Sequence, residues 1–272
     1  MFQLFKRWLR AREDKPFPEE WRPYIEKNVP MVSALPAEDR AELEKLCMAF
    51  LDDKHFEGAG GFEITDEVKV TIAAQACMLL IHRDTEVYPE LETIIVYPST
   101  FVSKQTKREG YVVVEEDSAR LGESWSRGIV VLAWDSVRSG TANMHDGHNV
   151  VLHEFAHQLD AEDGDMDGAP DLGARSRYTA WAQVLGPEFT DLVEKADAGR
   201  GSDIDKYGAT NPAEFFAVVT ESFFEKPRQL RMKHPELYDQ LVDFYKQDPE
   251  KLLATAPVIQ NVGDKPKKKK KK

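Results

Sequence analysis

Two histidines four residues apart, with a glutamate directly after the first, form the pattern HExxH at His153, Glu154 and His157. On an α-helix, residues four apart lie on one face, about one turn from each other. The two imidazoles can therefore hold one zinc ion, while Glu154 reaches a water on the metal without being a ligand. Zinc lowers the pKa of that water, and Glu154 removes its proton as the water attacks a carbonyl. The pattern predicts a zinc-dependent peptidase.

The residues around this motif indicate a buried helix. The stretch VVLHEFAHQLD, residues 150–160, is largely apolar outside the motif, and Asn149 stands where a helix cap is expected. Polar side chains on a buried helix need partners, because an unpaired buried polar group costs free energy. The histidines therefore bind a metal ion or, in the alternative interpretation, form hydrogen bonds in the core beside a capping glutamate.

A catalytic zinc ion usually has three protein ligands, so a third must come from elsewhere in the chain. Asp163 stands six residues after the second histidine, where an extended form of the motif places its ligand. That form needs a glycine for its turn, and Asp160 occupies the position. Asp160 itself would crowd the ion from the same helix, so we expect it to orient an imidazole instead. Glu214 is the favoured ligand.

Glu214 belongs to a predicted helix with a narrow stripe of carboxylates. In NPAEFFAVVTESFFEKP, Glu214, Glu221 and Glu225 fall within about 40° of each other at about 100° per residue. Nearly every other position is apolar, so the helix is predicted to be buried and its stripe to face a cation or hydrogen-bond donors. In the alternative interpretation, Asn211 caps the helix and Glu214 completes a capping box. Glu221 is predicted to support a ligand, or to replace Glu214 as the ligand.

Three further features could contribute to a peptide-binding cleft. Tyr207, in KYGATNPAE, could donate a hydrogen bond to the oxyanion formed at the scissile carbonyl; the alternative is a partly buried loop tyrosine. His145 and His148 precede the motif in a loop and could line the cleft, although exposed loop histidines are common. The strand GIVVLAW is a candidate edge for pairing with an extended substrate.

Three stretches, HEFAHQLD, the loop DGDMDG and YGATNPAEFFAVVTESFF, together resemble the Mlc titration factor A family of bacterial metallopeptidases. The resemblance implies a zincin fold and one zinc ion per chain, held by His153, His157 and Glu214. It also implies that Glu154 is the base, that Tyr207 assists at the oxyanion, and that the activity is aminopeptidase-like on peptide substrates. A second implied role is binding the glucose repressor Mlc in the cytoplasm, which relieves repression of sugar uptake.

Composition narrows the class of protein. The formal net charge is −12, although seven of the last eight residues are lysines, so the rest of the chain is more acidic still. This excess of negative charge argues against direct binding to the nucleic-acid backbone, which is itself negatively charged. The two cysteines, Cys47 and Cys77, form no CxxC pair, which fits a reducing compartment and a cytoplasmic protein. No apolar run approaches the roughly 18 residues of a membrane span.

The predicted architecture is an α+β, zincin-like fold, mainly helical, with a small mixed sheet beside the HExxH helix. Residues 1–30 are predicted as a partly extended, proline-rich lead-in, 31–255 as the metallopeptidase domain, and 256–272 as a disordered lysine-rich tail. Strands are predicted at Thr93–Tyr97, Tyr111–Val114 and Gly128–Trp134, and helices at about 36–54, 66–83, 150–160, 176–198, 211–225, 227–233 and 235–246.

A binding function remains as the alternative to catalysis. In that interpretation the zinc ion is structural or vestigial, and the protein serves to hold a transcriptional regulator. The two functions are compatible in one chain.

Overall fold

The computed structural model describes residues 16–99, 128–142 and 146–255. Within these ranges the chain is mainly helical with one small sheet, which agrees with the predicted α+β class. The α-helices are α1 (Arg22–Asn28), α2 (Ala37–Asp53), α3 (Asp66–Met78), α4 (Trp134–Ala142), α5 (Val150–Asp160), α6 (Arg175–Asp197), α7 (Pro212–Glu225), α8 (Pro227–Lys233), α9 (Pro235–Tyr245) and α10 (Pro249–Thr255). Short 3-10 helices occupy Glu19–Trp21, Pro30–Ala34, Ala161–Asp163 and Lys206–Ala209.

The sheet contains β1 (His55–Gly58), β2 (Thr93–Tyr97) and β3 (Ile129–Ala133), in that spatial order. Both strand pairs are parallel, with Thr93 opposite both His55 and Ile129. The described strands therefore differ from the predicted mixed sheet. Each successive pair is joined by a long connection, the kind that parallel strands require. The predicted strand Tyr111–Val114 and the lysine-rich tail lie outside the described residues.

The lead-in was predicted to be partly extended, but it contains the helix α1. Pro23 lies in the first turn of α1, where a proline's fixed φ suits a helix and its missing N–H is not needed. The buried side chains of Ile25 and Asn28 anchor this helix, and the Asn28 amide donates to Thr71 Oγ1 of α3 at 3.0 Å. Prolines in this segment mark the ends of short helices and do not prevent them.

The apolar side of α5 packs on aromatic rings from the first half of the chain. The Phe155 ring centroid lies 4.9 Å from that of Tyr88 and 5.6 Å from that of Phe50 on α2. All three side chains are fully buried. Because Phe155 lies on the opposite side of α5 from His153, this packing turns the histidine side of α5 toward α7.

No helix in the described ranges is both long and apolar enough to cross a membrane.

The loop after α5 ties that helix to the start of α7. The Gly168 N–H donates to Asp160 Oδ2 at 2.9 Å, and the Gly168 carbonyl accepts from Trp181 Nε1 of α6, also at 2.9 Å. Gly168 has a φ of +80°, and a Cβ atom there would collide with the backbone carbonyl of Pro212. Glycine is therefore required for both the backbone conformation and the close approach to α7.

We predict that Gly168→Ala destabilises the protein by roughly 2–4 kcal/mol, combining left-handed strain with the collision at α7. Gly173→Ala is the matched control. Its φ is +75°, but a Cβ atom there would meet nothing within 4 Å, so its cost is only about 1 kcal/mol. Urea unfolding of both variants measures the free energy of unfolding. Equal losses in the two variants would contradict the close-packing argument.

Candidate metal centre

The start of α5 is fixed by Asn149, at the predicted cap position. Its Oδ1 accepts from the backbone N–H groups of Val151 and Leu152, both at 3.1 Å. Its own backbone N–H donates to Glu221 Oε2 of α7 at 2.5 Å. The Asn149 side chain therefore satisfies the first turn of α5, while its backbone attaches that turn to the neighbouring helix.

The structure brings His153, His157 and Glu214 together. Glu214 Oε2 lies 3.0 Å from His153 Nε2 and 3.4 Å from His157 Nε2, and the two Nε2 atoms are 3.3 Å apart. Each of the three residues offers one ligand atom, and these three atoms all lie within 4.8 Å of one another. In the described part of the chain, no other group of three or more His, Cys, Asp or Glu residues meets this condition.

Of the capping-box interpretation of Glu214, only the cap formed by Asn211 is present. The Glu214 backbone N–H donates to Asn211 Oδ1 at 2.9 Å, so Asn211 caps α7 and Pro212 occupies its first position. The Glu214 side chain instead turns toward the two histidines. The helix cap thus holds the backbone at the point from which the carboxylate extends into the centre.

Glu221 lies behind His153 and supports it. Its Oε1 is 2.7 Å from His153 Nδ1, and its Oε2 accepts from Asn149 N–H. An ionised carboxylate only accepts hydrogen bonds, so Nδ1 carries a hydrogen and Nε2 faces the centre. A carboxylate in this position fixes the orientation of the ring and increases the basicity of the nitrogen that binds a metal.

The ionisable groups at the centre shift one another's pKa values. Burial lowers the pKa of His153, but hydrogen bonds to Glu214 and Glu221 outweigh it and raise that pKa to about 10. Burial raises the pKa of Glu214, but hydrogen bonds from His153 and His157 lower it to about 2. Burial also lowers the pKa of His157. The neighbouring carboxylates therefore favour a positive charge on His153.

This donor set fits a divalent metal ion. Two imidazole nitrogens and one carboxylate oxygen converge within 3.4 Å of one another. A divalent cation could bind all three at once, and two histidines with one glutamate form an established ligand set for catalytic zinc. Glu221 accepts the hydrogen on His153 Nδ1, so His153 Nε2 is left to face the centre.

Glu154 lies beside the centre but is not one of the three clustered residues. Its Oε2 is buried and has no hydrogen-bond partner within the described ranges. Burial raises the pKa of Glu154 to about 8. The charges of Glu214 and Glu221 also raise this pKa, whereas the charge of His153 lowers it. A buried carboxylate oxygen without a partner costs stability, and such groups cluster at functional sites.

Tyr207 lies in the 3-10 helix Lys206–Ala209, and its ring covers the outer side of His153. The two ring centroids are 5.8 Å apart with an angle of 40° between the planes, and Tyr207 is 36% exposed. The next residue, Gly208, is buried, and a Cβ atom there would lie 3.3 Å from Phe215 Cα of α7. Close packing at Gly208 holds the Tyr207 turn next to the helix that carries Glu214.

The other candidates from the sequence lie elsewhere. Asp163 is exposed, and its Oδ1 accepts from Asp165 N–H in its own loop at 3.2 Å. The predicted role of Asp160 in orienting an imidazole is wrong: at the end of α5 its carboxylate turns to the following loop and binds Gly168 N–H. His148 is exposed, with Nε2 3.4 Å from Asp205 Oδ2. His145 lies outside the described residues.

Two supporting residues were not assigned these roles from the sequence. Glu225 was placed on the carboxylate stripe; burial raises its pKa to about 8, although the Asn149 side chain donates a hydrogen bond to it. Asp205 caps the Tyr207 turn, its Oδ1 accepting from the Tyr207 N–H at 2.8 Å. An aspartate two residues before a loop tyrosine is a recognisable turn signal, so the sequence did carry evidence for this cap.

We predict that Glu221→Gln lowers metal affinity by about 10–100-fold, because the imidazole loses its charged support. Glu225→Gln is the matched control, since Glu225 is also buried on α7 but does not contact His153. Competition with a chelator measures the affinity, and circular dichroism checks that both variants are folded. Unchanged affinity in Glu221→Gln, or the same loss in both variants, would contradict this role.

Comparison with known proteins places the chain in a family. Residues 5–246 match the family described as glucose-regulated metallo-peptidase M90. An uncharacterized protein of Synechocystis sp., slr2042, is 43% identical over 251 residues, covering 90% of this chain and 91% of that protein. Mlc titration factor A of Salmonella agona is 29% identical over 241 residues (87% and 89%), and that of Escherichia fergusonii is 29% identical over 232 residues (84% and 87%).

These similarities confirm the resemblance noted from the three sequence stretches. The family match and the cyanobacterial relative both cover most of the chain, including the helices that carry the clustered histidines and glutamate. The chain therefore belongs to the glucose-regulated metallo-peptidase M90 family.

Proposed function

We propose that the protein is a zinc-dependent peptidase with aminopeptidase-like activity, acting on peptide substrates in the cytoplasm within a zincin-like fold. One observation carries this proposal: the ligand atoms of His153, His157 and Glu214 lie within 4.8 Å of one another. Glu154, with its buried and unpaired Oε2, lies beside them. Three ligands and a separate carboxylate are the parts that metal-assisted hydrolysis requires.

In this proposal, His153, His157 and Glu214 hold one Zn²⁺ per chain. The bound ion supplies Lewis-acid chemistry, polarising the scissile carbonyl and lowering the pKa of water. Glu221 keeps His153 in the orientation that presents Nε2, because it accepts the hydrogen on Nδ1. The rigid connection between α5 and α7 sets the ligand positions before any substrate binds.

Glu154 acts as the general base. Its unpaired Oε2 accepts a proton from the attacking water and can then deliver it to the leaving amine. A base is most effective when its pKa lies near the working pH, and burial moves the pKa of Glu154 in that direction. The carboxylate is held by its place on α5, one residue from a ligand.

Tyr207 is proposed to stabilise the oxyanion. Its ring lies against His153, and its partial exposure places it on the side of the centre open to solvent. A hydroxyl group there can donate a hydrogen bond to the charge that develops on the scissile carbonyl. The peptide is proposed to lie along β3, which is an edge strand of the described sheet, by pairing its backbone with that strand.

A second proposed role is binding a Mlc-like transcriptional repressor, with no direct contact to nucleic acid. It rests on relatives that are named Mlc titration factor A. The alternative function is a non-catalytic regulator-binding protein whose zinc ion is structural or vestigial. The unpaired Glu154 Oε2 favours catalysis, because a purely structural metal site gains nothing from a buried carboxylate without a partner.

We predict about one zinc ion per chain in the dialysed protein and much less in Glu214→Ala, because a three-ligand site does not survive the loss of one ligand. Asp163→Ala is the control, since that exposed aspartate contacts its own loop and should keep the metal. Elemental analysis measures the zinc content. Full retention in Glu214→Ala would exclude Glu214 as a ligand.

We predict that Glu154→Gln reduces peptide hydrolysis by at least about 100-fold while zinc content stays at the wild-type level, because Glu154 is a base and not a ligand. Hydrolysis of short peptides and elemental analysis provide the two measurements. Binding of a Mlc-like repressor to the same variant separates the two proposed roles. Wild-type hydrolysis by Glu154→Gln would refute the mechanism.

A further inference from the structure

Asp205 connects the Tyr207 turn to the loop that leads into α5. Its Oδ1 accepts from the Tyr207 backbone N–H at 2.8 Å, and its Oδ2 lies 3.4 Å from His148 Nε2. Both side chains lie at the surface, with exposed fractions of 37% for Asp205 and 62% for His148. One carboxylate therefore contacts the tyrosine that covers the centre and the residue just before Asn149.

Each end of this contact belongs to a fixed piece of structure. The His148 N–H donates to Asp146 Oδ1 at 3.1 Å, and the following residue caps α5. On the other side, Ile204 is buried, while Asp203 accepts from Gln229 Nε2 of α8 at 3.2 Å. The contact between His148 and Asp205 thus spans two anchored segments.

The hydroxyl of Tyr207 depends on this arrangement for its position. Its 3-10 helix has only four residues, and Asp205 supplies the side-chain cap of that helix. The Tyr207 ring is inclined against His153 and is partly exposed, so core packing alone does not hold it. Small displacements of a group that acts on a transition state reduce the rate strongly.

We propose that Asp205 and His148 are positioning residues that hold Tyr207 beside His153. The catalytic consequence rests on the proposed function, whereas the structural connection does not. An exposed contact between polar side chains contributes little to global stability. Breaking this one should therefore loosen the Tyr207 turn without lowering the midpoint of unfolding.

The structural part is tested by amide hydrogen exchange at Tyr207 in the full-length protein. Asp205→Ala removes the cap and the contact with His148, and exchange should accelerate about fivefold. Asp205→Asn keeps a capping oxygen but loses the charge, and His148→Ala removes the contact alone, so each should give a smaller increase. Asp163→Ala is the matched control, because it removes an aspartate that accepts from the backbone of its own loop, and it should leave exchange at Tyr207 unchanged.

The catalytic part is tested by peptide hydrolysis with the zinc-loaded protein. Asp205→Ala should lower kcat about tenfold with little change in KM, because Tyr207 acts on the transition state. In the Tyr207→Phe background, Asp205→Ala should cause no further loss. A full additional loss in that background, or the same loss in Asp163→Ala, would overturn the proposal.

The two measurements separate failure of this inference from failure of the proposed function. Unchanged exchange at Tyr207 in both Asp205→Ala and His148→Ala overturns the positioning role, whatever the activity of the enzyme. Absence of hydrolysis in the wild-type protein overturns the peptidase proposal. In that case exchange alone decides whether Asp205 and His148 hold the Tyr207 turn.

Discussion

Glu214 and Glu221 on α7 take their side-chain partners from α5 and its cap, and the rest of the site depends on this constraint. Glu214 faces both motif histidines, Glu221 contacts His153 and the backbone of Asn149, and Glu225 accepts from the Asn149 side chain. Because most other side chains of α7 are apolar, neither helix could slide or rotate against the other without leaving a buried polar group unpaired. The polar stripe thus fixes the position of one helix along the other. Apolar contacts alone would tolerate several such positions.

Such an arrangement favours a defined geometry over maximal stability. Buried ion pairs often contribute little net free energy, because desolvation offsets their attraction, but removing one partner is strongly destabilising. His153 illustrates the result, since both ring nitrogens are held and the ring cannot rotate. The geometry proposed for metal binding is therefore set by contacts within the protein itself. Glu154 lies within the same apolar surroundings but has no partner for Oε2 among the described residues, and this difference distinguishes the proposed base from the proposed ligands.

The predictions that held depend on local sequence patterns: β-branched runs indicated β2 and β3, and helical spacing indicated the clustered side chains. Spacing of four placed His153 and His157 on one face, and spacing of seven placed Glu214 and Glu221 on one stripe, so the clustered residues could be chosen before the fold was known. β1 escaped prediction because its residues, HFEG, are mostly exposed and show no clear alternation. α4 contains residues that form helices poorly, and Gly140 is needed for its close approach to His148 and Asn149. Parallel strand pairing and the direction of the Asp160 side chain depend on contacts that no local pattern encodes.

The site divides into a buried half and an exposed half, and this division bears on how one protein could perform both proposed roles. The proposed ligands, Glu154 and Glu221 lie between packed helices, whereas Tyr207, His148 and Asp205 lie at the surface. A substrate or a protein partner approaching the centre therefore meets the exposed half first. Changes to the buried half alter chemistry while leaving that surface intact, so catalysis and partner binding are physically separable. If partner binding required catalysis, the link would have to act through movement of the Tyr207 turn, which belongs to both the centre and the surface.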